Sequence, residues 1–232
     1  MDLGLYIAAS GMVAEQTRQD QLTNDLANAM TPGYKPLSTS QRSFGSILMS
    51  NTRTGAAIGS LSTNVALGGT TVNMAPGAIR STGQPLDFAI SGPGFFAVRT
   101  AGGVRYTRDG QFTTSAQGQL VDAAGNPVLD GRGAPIAVPA KGTVPAAALG
   151  VYELKGASRQ GENLFTGAAT AGAAGTVRSG ALEASSVDAA RTTAGMMGAL
   201  SSFQSEQQAI QAIDQTLTAA STQVGSLNGG GG

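Results

Sequence analysis

Three groups of residues have the types that could support chemistry. Asp109, Asp122 and Asp130 are carboxylates set among turn residues, as in a cation-binding loop. A calcium loop, however, needs oxygen ligands in dense alternation over about a dozen residues, and these three are too widely spaced. Gly92-Pro93-Gly94 could cradle a phosphate, but no helix pattern and no Lys-Ser/Thr pair follows it. It reads as a hairpin turn. Arg105 and Arg108 read as exposed strand or turn residues, or as subunit contacts. The chain has no Cys and no His, which removes disulfides, thiolate catalysis, zinc–thiolate sites and the commonest general base. With no nucleophile–base pairing and no cofactor fingerprint, the expected catalytic, cofactor-binding and metal-ligating residues are none. The chain does not read as an enzyme.

Composition restricts the remaining classes. Charged residues make up 12% of 232 residues, Gly is abundant at 34, and net charge is zero. That balance is uneven along the chain. Residues 1–28 carry Asp2, Glu15, Asp20 and Asp25 against Arg18. Residues 183–232 carry Glu183, Asp188, Glu206 and Asp214 against Arg191. The middle is therefore basic, but its cations are scattered and form no run suited to nucleic acid. No apolar stretch approaches the length of a membrane span. The start, with Asp2 and an amphipathic pattern, is not that of a cleaved signal peptide.

What remains is organised by periodicity. From Ser185 to Leu227, apolar residues recur in steps of three or four: Met196, Leu200, Phe203, Ile210, Ile213, Leu217, Ala220, Val224 and Leu227, with Gln207 in the one gap. This is a helix with one apolar stripe. Ser185 with Asp188 has the spacing of a capping box. Such a helix would be about 60 Å long, more than a small domain can bury, and its few charges imply cover on more than one face. At the other end Leu5, Ala8, Met12, Leu22 and Leu26 lie on a heptad lattice, with Glu15 and Gln19 in the remaining seam positions. Thr31-Pro32-Gly33 ends that helix. The expected assembly seam is thus Leu5, Ala8, Met12, Leu22, Leu26, Met196, Leu200, Phe203, Ile210, Ile213, Leu217 and Val224.

The middle is different. Residues 36–75, rich in Ser, Thr, Asn and Gly, read as an extended linker with one apolar cluster at Phe44, Ile47, Leu48 and Met49. Alternation around Leu86–Ile90, Phe96–Val98 and Val104–Tyr106, punctuated by Gly-containing turns, predicts antiparallel β-structure. A further strand pair is expected near Leu149–Leu154 and Asn163–Thr166. Gly167–Gly175 reads as a flexible return. The fold class is α+β. Residues 1–35 form an N-terminal helix, 36–75 a linker, 76–180 a β-rich domain, and 181–232 a C-terminal helix with a Gly tail. The two terminal helices are expected to pair as a coiled-coil-like layer.

Three blocks carry a resemblance. LYIAASGM at Leu5–Met12 and LTNDLANAMTPGYK at Leu22–Lys35 resemble the N-terminal signature of the bacterial flagellar rod and hook protein family. Asp25 stands where members usually have Asn. Thr82–Leu129 resembles the family's core β-domain. Ser179–Val187 (SGALEASSV) resembles its C-terminal signature, with Ser186 in place of the usual Asn. The matching motif residues are Asn24, Leu26, Ala27, Asn28, Gly33, Leu182 and Glu183.

The resemblance implies a structural subunit of the basal-body rod that self-assembles through its terminal helices into a tubular drive shaft carrying torque from motor to hook. Its implied partners are further copies of itself in a helical homopolymer, other flagellar rod and hook proteins, and the flagellar export apparatus, with no nucleic acid and no membrane insertion. The implied location is the extracytoplasmic basal body, reached without a cleaved signal peptide. The competing reading is a free-standing extracellular binding or adhesin-like protein with a helical stalk.

Overall fold

A computed structural model describes residues 2–50, 57–161, 163–172 and 175–228, with side-chain environments for 4–38, 71–161, 163–172 and 175–222. The fold is α+β: a helix at each end of the chain and antiparallel strands between them. The chain divides into two compact units. One comprises residues 1–24, 38–71 and 190–232, the other 25–37 and 72–189.

The first unit holds most of both helices. Helix α1 spans Asp2–Ala27 and α2 spans Ala189–Asn228. The longer helix starts four residues after Ser185, whose Oγ instead accepts the Val187 N–H at 3.3 Å in a local turn. The segment expected as a linker contains strands β1 (Leu37–Ser50) and β2 (Ala57–Val72), which pair with each other. Self-pairing lets a polar, core-poor stretch satisfy its backbone groups. The side chains of Phe44, Ile47, Leu48 and Met49 lie outside the described residues, as does the tail Gly229–Gly232.

The second unit is built on two antiparallel systems. In the first, a ribbon returns on itself. Strand β3 (Ile79–Ser81) pairs with β13 (Ala181–Glu183), and β4 (Phe88–Ser91) pairs with β12 (Thr176–Ser179). Between these pairs residues 82–87 loop out opposite Gly180. The Gly180 carbonyl accepts from the N–H groups of Thr82 and Gly83, and its own N–H donates to Asp87 O at 2.8 Å.

In the second system, β5 (Phe95–Thr100) pairs with β6 (Gly103–Thr107), with β9 (Val128–Leu129) and with β10 (Val151–Arg159). Strand β10 also pairs with β11 (Phe165–Ala171), and β11 reaches β6 through Phe165 opposite Tyr106. The pairing therefore closes into a ring. Two short strands, β7 (Thr113–Thr114) and β8 (Leu120–Val121), form a separate pair.

Two expectations are corrected here. Gly92-Pro93-Gly94 does not join a hairpin, because β4 pairs with β12 while β5 belongs to the ring. It is the crossing between the two systems, and Gly92 and Gly94 take φ of 103° and 131° there, values open to glycine alone without strain. The run Gly167–Ala171 is not a flexible return. It is most of β11, with Ala168–Ala171 registered against Lys155–Tyr152.

Consecutive residues of β5 serve opposite sides, as strand geometry requires. Phe96 enters the core with Phe88, Val98, Phe112, Leu120 and Val128, its ring edge-on to Phe112 at 5.3 Å. Phe95 faces the other way, 5.5 Å from Phe165 and below the Arg108 guanidinium at 5.2 Å. That second face leads to the ionic centre of the unit.

Candidate functional site

The second unit encloses charges that composition alone would place on the surface. Glu183, at the end of β13, is 1% exposed. Its Oε1 accepts from Lys35 Nζ at 2.6 Å and from the Gly77 N–H at 2.7 Å. Its Oε2 accepts from Arg108 Nη1 at 3.0 Å. Lys35 completes its three donor positions with Ala75 O at 2.7 Å and Ser186 Oγ at 3.0 Å. Arg108 Nη2 donates to Gly92 O at 2.9 Å. Arg108 is only 5% exposed, so its reading as a surface residue is corrected. A buried cation is tolerated because an anion and carbonyls replace its water. Burial pulls the Lys35 ammonium below its ordinary pKa, and Glu183 partly offsets this.

A second layer surrounds the first. Tyr34 is fully buried and donates its hydroxyl proton to Asp25 Oδ1 at 2.7 Å. The Tyr34 hydroxyl oxygen in turn accepts from Arg159 Nη1 at 3.0 Å. The Arg159 guanidinium lies 4.5 Å above the Tyr34 ring and also donates to the Lys35 carbonyl. Burial raises the Asp25 carboxyl above its ordinary pKa despite the Tyr34 hydrogen bond. Burial and the Asp25 charge raise the Tyr34 phenol.

Gly33 makes the approach possible. Its φ is 65°, its N–H donates to Glu183 O at 2.8 Å, and a Cβ there would stand 2.6 Å from Asp109 N. No other residue fits without strain. This arrangement has the parts of a clamp. It ties Gly33–Lys35, Arg108 and Ala181–Ser186, segments up to 151 residues apart, into one buried network.

The carboxylates considered for a cation are otherwise engaged. Asp122 accepts the N–H groups of Ala124 and Asn126, and Asp130 those of Arg132 and Ala134. Two backbone N–H bonds hold the Asp130 carboxyl below its usual range. Among the described residues, no group of three His, Cys, Asp or Glu side chains could hold a metal.

The helices of the first unit touch at three glycines. Gly4 lies against Ile213 Cδ1, Gly195 against Leu22 Cδ1, and Gly11 against the carboxyl group of Glu206. Seven residues forward on α1, from Gly4 to Gly11, match seven back on α2, from Ile213 to Glu206. Eleven more to Leu22 match eleven back to Gly195. The helices therefore run antiparallel in one register. In it Leu5, Ala8, Met12, Leu22 and Leu26 are half-buried on α1, and Met196, Phe203, Ile210, Ile213 and Leu217 on α2.

Leu200 is 45% exposed, and Ala199, at 1%, takes the covered position beside it. Glu206, not Gln207, fills the gap in the stripe. The Val224 side chain lies outside the described residues. Tyr6, Val13 and Met197 join Leu200 as exposed apolar residues. Of the motif residues, Asn24 and Ala27 are exposed, Leu26, Asn28 and Leu182 are half-buried, and Gly33 and Glu183 are buried. The sequence reading placed Gly33 and Glu183 in motifs but missed that Lys35 and Arg108 converge on Glu183. The available signal was that each of the three resembling blocks carries an ionisable residue despite the low overall charge.

Three family models match the chain in order: the flagella basal body rod protein model at residues 5–35, the flagellar hook protein FlgE/F/G D1 domain at 89–151, and the flagellar basal body rod FlgEFG protein C-terminal model at 178–223. The chain is 30% identical to the flagellar hook-basal body complex protein FlhO of Bacillus subtilis (strain 168), across 97% of this chain and 99% of that protein. It is 34% identical to the flagellar basal-body rod protein FlgF of Rhizobium meliloti (strain 1021), across 49% of this chain and 43% of that protein. Identity to the flagellar basal-body rod protein FlgG of Bacillus subtilis is 35%, across 47% and 43%. The buried junction joins residues from all three matched blocks or their immediate flanks, and the relatives, FlhO matched almost end to end, show that the chain belongs to the flagellar basal-body rod protein family, as a structural component and not an enzyme.

Proposed function

We propose that the chain is a self-assembling subunit of the flagellar rod. Its paired terminal helices form a coiled-coil layer, and copies stack into a tubular shaft that passes torque from motor to hook. The observation that carries this reading is the apolar surface left exposed on both paired helices. One face of each helix is used within the chain, yet Tyr6 and Val13, one heptad apart on α1, and Met197 and Leu200 on α2 remain exposed. In a helix pair with few charges, such a face is suited to further helices. Contacts that repeat head to tail without closing generate a helical filament.

In this reading the seam residues, from Leu5 to Leu26 and from Met196 to Val224, order fully only when neighbours supply the rest of the cover. Other rod and hook proteins adjoin the polymer at its ends. The export apparatus delivers the chain to the extracytoplasmic basal body. Among the described residues no helix is long and apolar enough to cross a membrane.

The test is circular dichroism over a dilution series with sedimentation of the same samples. Helix content and particle size should rise together with concentration. A monomer with the same helix content at every dilution would overturn self-assembly and favour a free-standing binding protein.

A further inference from the structure

The helix seam contains one element that an apolar zipper does not need. Glu206 occupies a seam position of α2, and its carboxyl group rests on the backbone of α1 at Gly11, where a Cβ would stand 2.9 Å from Glu206 Cδ. The absence of a side chain at Gly11 is what makes room for it. Glu15 lies one turn further along the same face of α1, in a seam position and 9% exposed. Two carboxylate-bearing residues thus meet where the lattice calls for apolar ones.

Among the described residues, the charged groups around them on the two helices are few. On α1 the facing ionisable residues are Glu15 and Arg18, and Arg18 Nη1 stands 3.8 Å from Glu15 Oε1. On α2 the residues one turn either side of Glu206, namely Ser202, Phe203, Ala209 and Ile210, are uncharged. Among the described residues, the buried Glu206 Oε2 has no hydrogen-bond partner. Burial, and next the charge of Glu15, raise the Glu206 carboxyl above its ordinary value.

We propose that the pairing of α1 with α2 is proton-linked: a proton held at Glu206 lets the carboxyl groups of Glu206 and Glu15 coexist in the closed seam, and its loss drives the helices apart. Protonated, Glu206 gains a donor and loses the repulsion of Glu15. Ionised, it leaves two like charges in a partly desolvated seam. The sign follows from linkage. A carboxyl whose paired-state pKa exceeds its free-state value favours pairing below the free-state value, and that contribution is lost as pH rises through the paired-state value. The pair titrates as a unit. The helix layer therefore tightens on mild acidification and loosens at alkaline pH. This adds a regulator to the assembly proposed above, but it requires only the pairing seen within one chain.

The experiment uses the full chain, its Glu206→Gln variant and its Glu15→Gln variant, followed by circular dichroism at 222 nm over about pH 4.5–8, with sedimentation of each sample. Helix content of the unaltered chain should fall as pH rises. Glu206→Gln should hold the low-pH level throughout, and Glu15→Gln should flatten the smaller part of the dependence. A Glu206→Gln profile that tracks the unaltered chain would overturn the proposal, as would an unaltered chain whose helix content ignores pH. Sedimentation separates this outcome from the assembly reading. A pH-dependent helix signal in particles that remain monomeric supports the linked seam and counts against self-assembly. Polymers with no such dependence give the reverse result.

Discussion

Glu183 in the second unit accepts from Lys35, Arg108 and Gly77 within 3.0 Å, whereas Glu206 in the first unit faces Glu15 and leaves an oxygen without a partner among the described residues. The same side chain type is complete in one region and unfinished in the other. The junction uses charge to fix a single arrangement of distant segments, and each donor of Lys35 is satisfied inside the unit. The helix pair has apolar residues on a face the chain itself does not cover and a carboxyl group that burial disfavours. A region whose buried ion pairs close within the chain can fold alone. A region that leaves apolar and ionic groups unmatched is suited to partners and to control.

The largest test of this contrast removes the anion of the junction. Glu183→Gln leaves Lys35 and Arg108 buried without a counter-charge and should destabilise the second unit by about 3–5 kcal/mol, read as a fall in its urea midpoint. If the midpoint is unchanged, the junction does not hold the unit together. Next, Leu217→Asp or Ile213→Asp places a charge in the helix seam. Either should abolish sedimenting polymer, by a penalty of about 3 kcal/mol or more, while the second unit keeps its unfolding transition. Polymer formed at normal concentration would break the seam assignment.

A smaller effect concerns Asp109. Burial, reinforced by Asp122 and Asp87, pushes its carboxyl up to about 6 even though Oδ1 accepts the Gln111 N–H. Its folded-state pKa exceeds the unfolded value, so its contribution is greatest below the ordinary aspartate value and is lost as pH rises to about 6. Asp109→Asn should remove that slope and raise neutral-pH stability by about 2 kcal/mol, measured by urea unfolding from pH 4 to 7. An unaltered slope would show that the carboxyl is better solvated than its surroundings indicate.

Tyr34→Phe deletes the hydroxyl shared by Asp25 and Arg159 and should cost about 1–2 kcal/mol. Smallest of all, Leu200→Ser at the exposed face should change monomer stability by less than about 0.5 kcal/mol while raising the concentration needed to assemble. If it destabilises the monomer as much as Tyr34→Phe does, the helix face is already covered within the chain, and the contrast between the regions fails.

The helices were legible because three- and four-residue steps survive any partner. The stripe from Phe203 to Leu217 was visible in the sequence and is half-buried in the structure at each apolar position. One residue of phase was not legible. Leu200 is more apolar than Ala199, yet the antiparallel approach through Gly195 and Gly11 turns the smaller residue inward. The strands β4, β5 and β6 announced themselves by alternation. The pairing of β1 with β2 did not, since Ser, Thr and Gly carry little signal for what a backbone pairs with. Nor did β11, where Ala and Thr look like linker until a registered partner is supplied. The junction was the least legible part. Lys35 and Glu183 are 148 residues apart, so no local spacing records that they meet. Arg108 next to a turn looks like any exposed strand end until Phe95 and Glu183 close over it.

Glu183 also occupies a telling place in the order of synthesis. It arrives after Lys35 and Arg108, behind roughly four-fifths of the chain. Until it is present, Lys35 and Arg108 lack the carboxylate they share, and β3 has no partner strand. A subunit cut short anywhere upstream therefore cannot complete its core, whatever else it has formed. The ion pairs act as a check on synthesis: the junction closes only once β13 has been made.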